Sequence, residues 1–208
     1  MIEVSWLLFV LASLVLIVTP GQDMILVMSR SIAQGAAAGV ATAAGVSVGL
    51  VGHTLLATLG LGAVLRTSEW LFVALKLAGA AYLVYLGLQL LRTRDHDLRL
   101  AGGTPRSLWR LFLDGALSNV SNPKIAVFYF AFLPQFVLPG AARPTLSVFV
   151  LGLLFAALTF VVKGPVGLAA GALSGWLRER PRALNCLYRG SGAVLVGLGV
   201  KLAFERRA

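Results

Sequence analysis

The sequence predicts an all-α integral membrane protein: six transmembrane helices as two inverted three-helix repeats, with helices 1 and 4 broken at proline. Three observations carry that expectation. Of 208 residues, 58% are hydrophobic and 12% charged, at a mean hydropathy of +0.87, whereas a soluble domain holds roughly 45–50% apolar and about 25% charged residues. So few charges cannot coat a water-facing surface of this size, which excludes a soluble enzyme and a disordered tail. The chain also divides into six apolar stretches near the length of about 20 residues that a hydrocarbon core about 30 Å thick demands. Finally, Pro20 and Pro123 interrupt two of those stretches and lie 103 residues apart, close to half the chain.

The first span runs from about Val4 to Met28, interrupted by Thr19-Pro20-Gly21-Gln22-Asp23. A cleaved signal peptide is the competing reading, but its leading region holds Glu3 and no Lys or Arg, the wrong charge for such a signal. The apolar pattern also resumes at Met24, so a retained helix is expected. The second span covers about Ala38 to Leu65 and the third about Trp70 to Leu91. A polar stretch from Arg92 to Arg110 follows, turning at Gly102-Gly103-Thr104-Pro105. The fourth span, about Leu111 to Val137, breaks at Asn119 to Lys124. The fifth runs from about Thr145 to Leu173, and the sixth from near Gly190 to near Phe204.

The net charge of +10 does not point to nucleic acid, because no basic, aromatic-interleaved surface domain is present to carry such binding. In a membrane chain, excess Lys and Arg mark cytoplasmic loops. Ten fall after spans 1, 3 and 5: Arg30; Arg92, Arg94, Arg99, Arg106 and Arg110; Arg178, Arg180, Arg182 and Arg189. The other side holds Arg66, Arg143, Arg206, Arg207 and at most Lys201. Both termini are therefore expected to face away from the cytoplasm.

The repeat is visible at two registers. Besides the prolines, Ala81–Leu90 matches Ala193–Leu202 at six of ten positions. Three helices per copy is an odd number, so the second copy must be inverted, and inverted repeats with matching broken helices point to a secondary transporter. A single transmembrane domain over 1–208 results, with repeat 1 at about 1–95, repeat 2 at about 106–208 and a cytoplasmic loop at about 92–110.

Irregular backbone survives at membrane depth only where protein buries it or where it lines a wet cavity. Pro20 removes an N–H and Gly21 loosens its neighbour, leaving free N–H and C=O groups suited to a small zwitterion. An ordinary kink repaired by neighbouring helices is the alternative, but each break has a charge close by. Asp23 is an ionisable group within a span and a functional candidate on that ground, as proton carrier or ammonium partner; otherwise it N-caps the helix from Met24. Lys124 occupies the corresponding break, where it holds a substrate carboxylate or pairs with Asp23. Gln22, Asn119 and Asn122 can bond the broken backbone or the ligand. Asp114, two to three turns before Pro123, is a proton-coupling candidate or faces interfacial water. His53 shares a helix face with Ala41, Gly45 and Gly49, where it is either a packed histidine or part of a proton relay. Lys76 reaches the interface along its stem, whereas Lys163, before Gly164-Pro165, lies deeper and has no assigned role. Gly167, Gly171 and Gly175 form a further packing stripe.

No enzyme signature occurs: no His-Glu-x-x-His, no Gly-x-Ser-x-Gly and no Walker-type phosphate loop. Two His and one Cys, Cys186, supply almost no metal ligands and no disulfide framework, so neither a metal nor another cofactor is expected, and ATP drive is improbable.

Thr19-Pro20-Gly21-Gln22-Asp23 resembles the Pro-Gly-Pro-Asp signature of the LysE/RhtB amino-acid exporter family. Leu75-Lys76-Leu77-Ala78-Gly79-Ala80-Ala81-Tyr82-Leu83 resembles that family's third helix. Asn122-Pro123-Lys124 with Phe130-Ala131-Phe132-Leu133-Pro134-Gln135-Phe136 resembles its fourth. The resemblance spans nearly the whole chain and implies a six-helix inner-membrane exporter of amino acids such as threonine, homoserine, homoserine lactone or lysine, driven by proton antiport. Gln22 departs from the family's second proline. The implied partners are an amino-acid substrate, protons and membrane lipid, with homo-oligomerisation left open. In the expected cycle the substrate carboxylate meets Lys124 and the N–H groups after Pro20, its ammonium meets Asp23, and protonation of Asp23 releases it. A non-transporting membrane scaffold or assembly protein is the rival; a channel lacks the rings of like charge it would need.

Overall fold

A computed structural model describes residues 3–67, 69–92, 106–138, 140–170 and 180–204. They are almost entirely helical: α1 Trp6–Val18, α2 Gln22–Gln34, α3 Ala36–Thr67, α4 Glu69–Arg92, α5 Leu108–Val120, α6 Pro123–Phe132 with a 3-10 turn at Leu133–Phe136, α7 Pro144–Leu168 and α8 Pro181–Phe204. Among these residues α3 and α7 are long and apolar enough to cross a bilayer, and the bent α1–α2 pair makes a third candidate. The turn at Gly102 to Pro105, together with Gly171, Gly175, Arg206 and Arg207, lies outside the described residues.

Proline sets most boundaries. Thr19 precedes Pro20 and is forced out of the helical region to φ −64°, ψ 123°, because the proline ring excludes α geometry from the residue before it. α1 therefore stops at Val18, and α2 restarts at Gln22 at 52° to it. Pro123, Pro144 and Pro181 each open a helix, the position where a missing N–H is harmless.

Three expectations are corrected. The first span does not end near Met28: α2 continues to Gln34 and meets α3 across Gly35 alone, at φ 92°. Arg30, counted above as a loop charge, therefore sits inside a helix. Gly35→Ala should lower stability by about 1 kcal/mol, since a Cβ in this backbone region is strained; a thermal melt in detergent reads it. The last helix begins at Pro181, not near Gly190, which brings Arg182 and Arg189 into α8.

The helices pack through glycine, as expected where lipid tails remove the hydrophobic drive for association and close van der Waals fit must replace it. Gly39 faces Gly167 and Gly152 faces Thr54, so α3 and α7 run antiparallel. Gly87 faces Gly192 and Gly199 faces Ala80, which makes α4 and α8 antiparallel as well. Gly45 and Gly49 lie directly on the backbone of α5, the contact on which the placement of Asn119 depends. An aromatic cluster of Phe9, Phe128, Tyr129, Phe132, Phe136 and Phe155 joins α1, α6 and α7. Leu7, Leu11, Leu55, Leu56, Leu59, Val161 and Leu168 point outward, a surface suited to acyl chains.

Candidate functional site

The two helix breaks meet. Asn122 Nδ2, in the gap between α5 and α6, donates to Gln22 Oε1 at 3.3 Å, at the start of α2. One turn further in, Asn119 Nδ2 donates to Asp23 Oδ2 at 3.0 Å. Asp23 does not cap its helix: Gly21 occupies the N-cap position and no side-chain cap bond forms. Its carboxylate is instead buried and accepts from a third helix, with Lys163 Nζ of α7 at 3.3 Å. The positive end of the α2 dipole also favours the negative charge at this position. A buried, ion-paired and hydrogen-bonded carboxylate is thus held by α2, α5 and α7 together.

The sequence offered Lys124 either to hold a substrate carboxylate or to pair with Asp23; the cation that the structure shows on Asp23 is Lys163. Lys124 is the second residue of α6, and its side chain, like that of Pro123 and of Lys76, lies outside the described residues. Lys163 was visible as a lone cation within an apolar stretch, but nothing in its neighbourhood along the chain announces Asp23, 140 residues away.

Each break is repaired differently. Asn119 ends the last full turn of α5, and the N–H that would reach its carbonyl from four residues on belongs to Pro123, which has none. His53 Nε2 of α3 donates to that oxygen at 2.9 Å, and the Asn122 N–H also donates to it at 3.0 Å. At the first break, the Val15 carbonyl accepts from Thr19 Oγ1 at 2.9 Å and from Ser191 Oγ of α8 at 3.0 Å. Pro20 is buried beside this repair, while Gly21 and Gln22 are exposed.

Asp114 stands apart from this cluster. It pairs with Arg106 at 2.6 Å and with Arg30 at 3.5 Å, while Gln34 Oε1 accepts from the Arg106 N–H at 3.0 Å. With the Gln22–Asn122 and Asp23–Asn119 bonds, these contacts form a polar seam along antiparallel α2 and α5. Asp114 lies on that seam, nearer the expected 92–110 loop than to Asp23.

Among the described residues, several buried polar atoms of α3, α5 and α7 make no hydrogen bond within the protein: Asn119 Oδ1, His53 Nδ1, Ser47 Oγ and Thr159 Oγ1. The α3–α7 register places Ser47 level with Thr159, and Thr159 lies one turn from Lys163 on α7. Buried polar groups are ordinarily satisfied, and Asn119, whose amide bonds Asp23, leaves its Oδ1 open, so an unfilled acceptor belongs to a residue that holds the ion pair, chemistry suited to a small polar ligand.

A family model described as LysE type translocator matches residues 14–206. An uncharacterized membrane protein of Pseudomonas aeruginosa is 35% identical over 94% of this chain and 93% of its own length. The homoserine/homoserine lactone efflux protein of Salmonella typhimurium is 34% identical over 98% of each chain. The leucine efflux protein of Klebsiella pneumoniae is 27% identical over 96% of this chain and 94% of its own. No solved structure matches.

Proposed function

The chain belongs to the family of LysE type translocators, a transporter rather than an enzyme, and we propose that it exports amino acids or their close derivatives across the inner membrane by alternating access in exchange for protons. The observation that carries this reading is the buried Asp23–Lys163 pair at the point where the two helix breaks meet. A free amino acid is a zwitterion, and a carboxylate facing an ammonium is its complement in closed form. The substrate enters by parting the pair. Its ammonium takes the place of Lys163 on Asp23, and its carboxylate is left to Lys163, to Lys124 and to the N–H groups at the start of α2. Asn119, Asn122 and Gln22 hold the two broken ends in register, with Pro20, Gly21 and Pro123 keeping the backbone open.

The inverted repeat belongs to the same reading. It is supported by the antiparallel pairings of α3 with α7 and of α4 with α8, and by breaks at matching places in the two halves. In this arrangement one half rocks against the other about the central pair. The loop at 92–110 and the Arg30–Asp114–Arg106 cluster lie on the cytoplasmic side, and both termini lie outside. The efflux names of relatives at 34% and 27% identity bring homoserine, its lactone and leucine forward as first substrates to try.

The test is transport by the purified protein in liposomes. Labelled homoserine and leucine, trapped with the protein, should exchange against external substrate and should flow faster against an inward proton gradient. Flux of neither compound, nor of any member of a wider amino-acid panel, would remove the export reading and leave a membrane scaffold.

A further inference from the structure

We infer that Arg30 forms a second station for substrate, taking the amino-acid carboxylate at the mouth of the α2–α5 seam before the molecule reaches Asp23; the inference rests on the export reading above. Asp114 Oδ2 accepts from Arg106 at 2.6 Å and from Arg30 at 3.5 Å. One carboxylate oxygen thus faces two guanidinium groups, and the cluster carries a surplus positive charge. Arg106 has the better bond. It is also fastened in place by Gln34, which donates to the Arg106 carbonyl at 3.3 Å and accepts from its N–H at 3.0 Å. Arg30 is left with the weaker contact, at the outer edge of hydrogen bonding, although a guanidinium has five N–H groups to place. Among the described residues it makes no other hydrogen bond or ion pair. Its side chain is 20% exposed, sheltered enough for unmet donors to favour an anion and open enough for one to arrive. A planar fork of N–H groups is complementary to a carboxylate, which it holds through two parallel bonds.

The placement ties this arginine to transport. Arg30 follows Asp23 by seven residues on α2, two turns along the same face. Both residues meet α5, Asp23 through Asn119 and Arg30 through Asp114. The two levels are about 10 Å apart along the helix, whereas a single carbon separates ammonium from carboxylate in an α-amino acid. One substrate therefore cannot bridge them, and they are used in turn. Val27 lies between them on that face and is fully buried, so the seam is shut between the two levels in this conformation. Arg30 stands toward the end of the seam that the proposed orientation turns to the cytoplasm, where an exported molecule first meets the protein. Asp114 and the incoming carboxylate compete for Arg30, and the contact that must be given up is the long one.

Arg30→Gln and Asp114→Asn test this with opposite signs. Uptake of labelled homoserine and of labelled homoserine lactone is measured in everted membrane vesicles, which offer their cytoplasmic face to the medium. The lactone keeps the ammonium but has no free carboxylate. Arg30→Gln retains an amide donor for Asp114. It should raise the KM for homoserine about tenfold, the loss of one charge-assisted contact, and shift the preference between the two compounds toward the lactone. Asp114→Asn frees Arg30 from its competitor and should move that preference the other way, toward homoserine. Arg30→Lys should restore part of it. Arg110→Gln removes an equal charge from the exposed start of α5 and should leave the preference as in the parent. If the parent carries leucine rather than homoserine, leucine and leucinamide form the same pair.

An equal change for acid and lactone in Arg30→Gln, as a structural or headgroup-bound arginine would give, overturns the inference. A shift in Arg110→Gln as large as that in Arg30→Gln does so too. Should Arg30→Gln fail to fold, Asp114→Asn decides alone, and an unchanged preference there overturns it. A transporting parent whose preference these variants keep removes the Arg30 station and leaves export standing; a parent that moves no amino acid removes export as well.

Discussion

Asp23→Asn is expected to reduce amino-acid flux by about 100-fold or more and to destabilise the protein by ~3–5 kcal/mol, the usual result of leaving one member of a buried ion pair without its partner. The two effects have separate causes. The flux loss comes from removing the counter-ion of the substrate ammonium. The stability loss comes from stranding Lys163, which is as buried as Asp23 itself. A double substitution separates them: Asp23→Asn with Lys163→Gln removes both charges, so most of the melting temperature should return while transport stays lost. The non-additivity in that cycle measures the coupling of the pair. Parent-like flux in Asp23→Asn, measured in liposomes at matched protein content, would show that the central site has been misplaced.

Gly45→Ala should be the most damaging of the small core changes. A Cβ at Gly45 would overlap the backbone oxygen of Phe112, 2.8 Å from its carbonyl carbon and 3.0 Å from the Ala116 nitrogen. These are main-chain atoms of α5 with no rotamer to yield, so two helices must move apart. About 3 kcal/mol is expected, the upper end of overpacking costs. The displacement would also pull Gly49 from Asn119, so flux should fall along with stability. Gly197→Ala is the internal control. Nothing lies within 4 Å of a Cβ there, and the substitution should be neutral or stabilising by roughly 0.5–1 kcal/mol from the reduced freedom of the unfolded chain. Equal melting temperatures for the two variants in one detergent would refute the close contact between α3 and α5.

How far the site could be read from sequence depends on the range of the cause. The breaks at Pro20 and Pro123 follow from sterics within a few residues, and both occur where expected. Asp23 stood out because an acid within an apolar stretch is costly wherever it packs. The end of α2 was misjudged for the opposite reason. Ser29, Arg30 and Ser31 look like a loop by hydropathy, yet Ser31 hydrogen-bonds the Gly167 carbonyl and Arg30 reaches Asp114, so a polar helical turn is satisfied by distant helices.

By itself, then, the sequence determined that the chain is helical and membrane-embedded, where two of its helices break, and which family it joins. These follow from composition, from proline geometry and from short motifs, all of which act locally along the chain. Only the tertiary structure decided that Asp23 meets Lys163 and that His53 closes the break beside Asn119. Those pairings depend on the rotation and register of helices packed through glycine, where a shift of one residue turns a side chain by about 100° and carries it to another face.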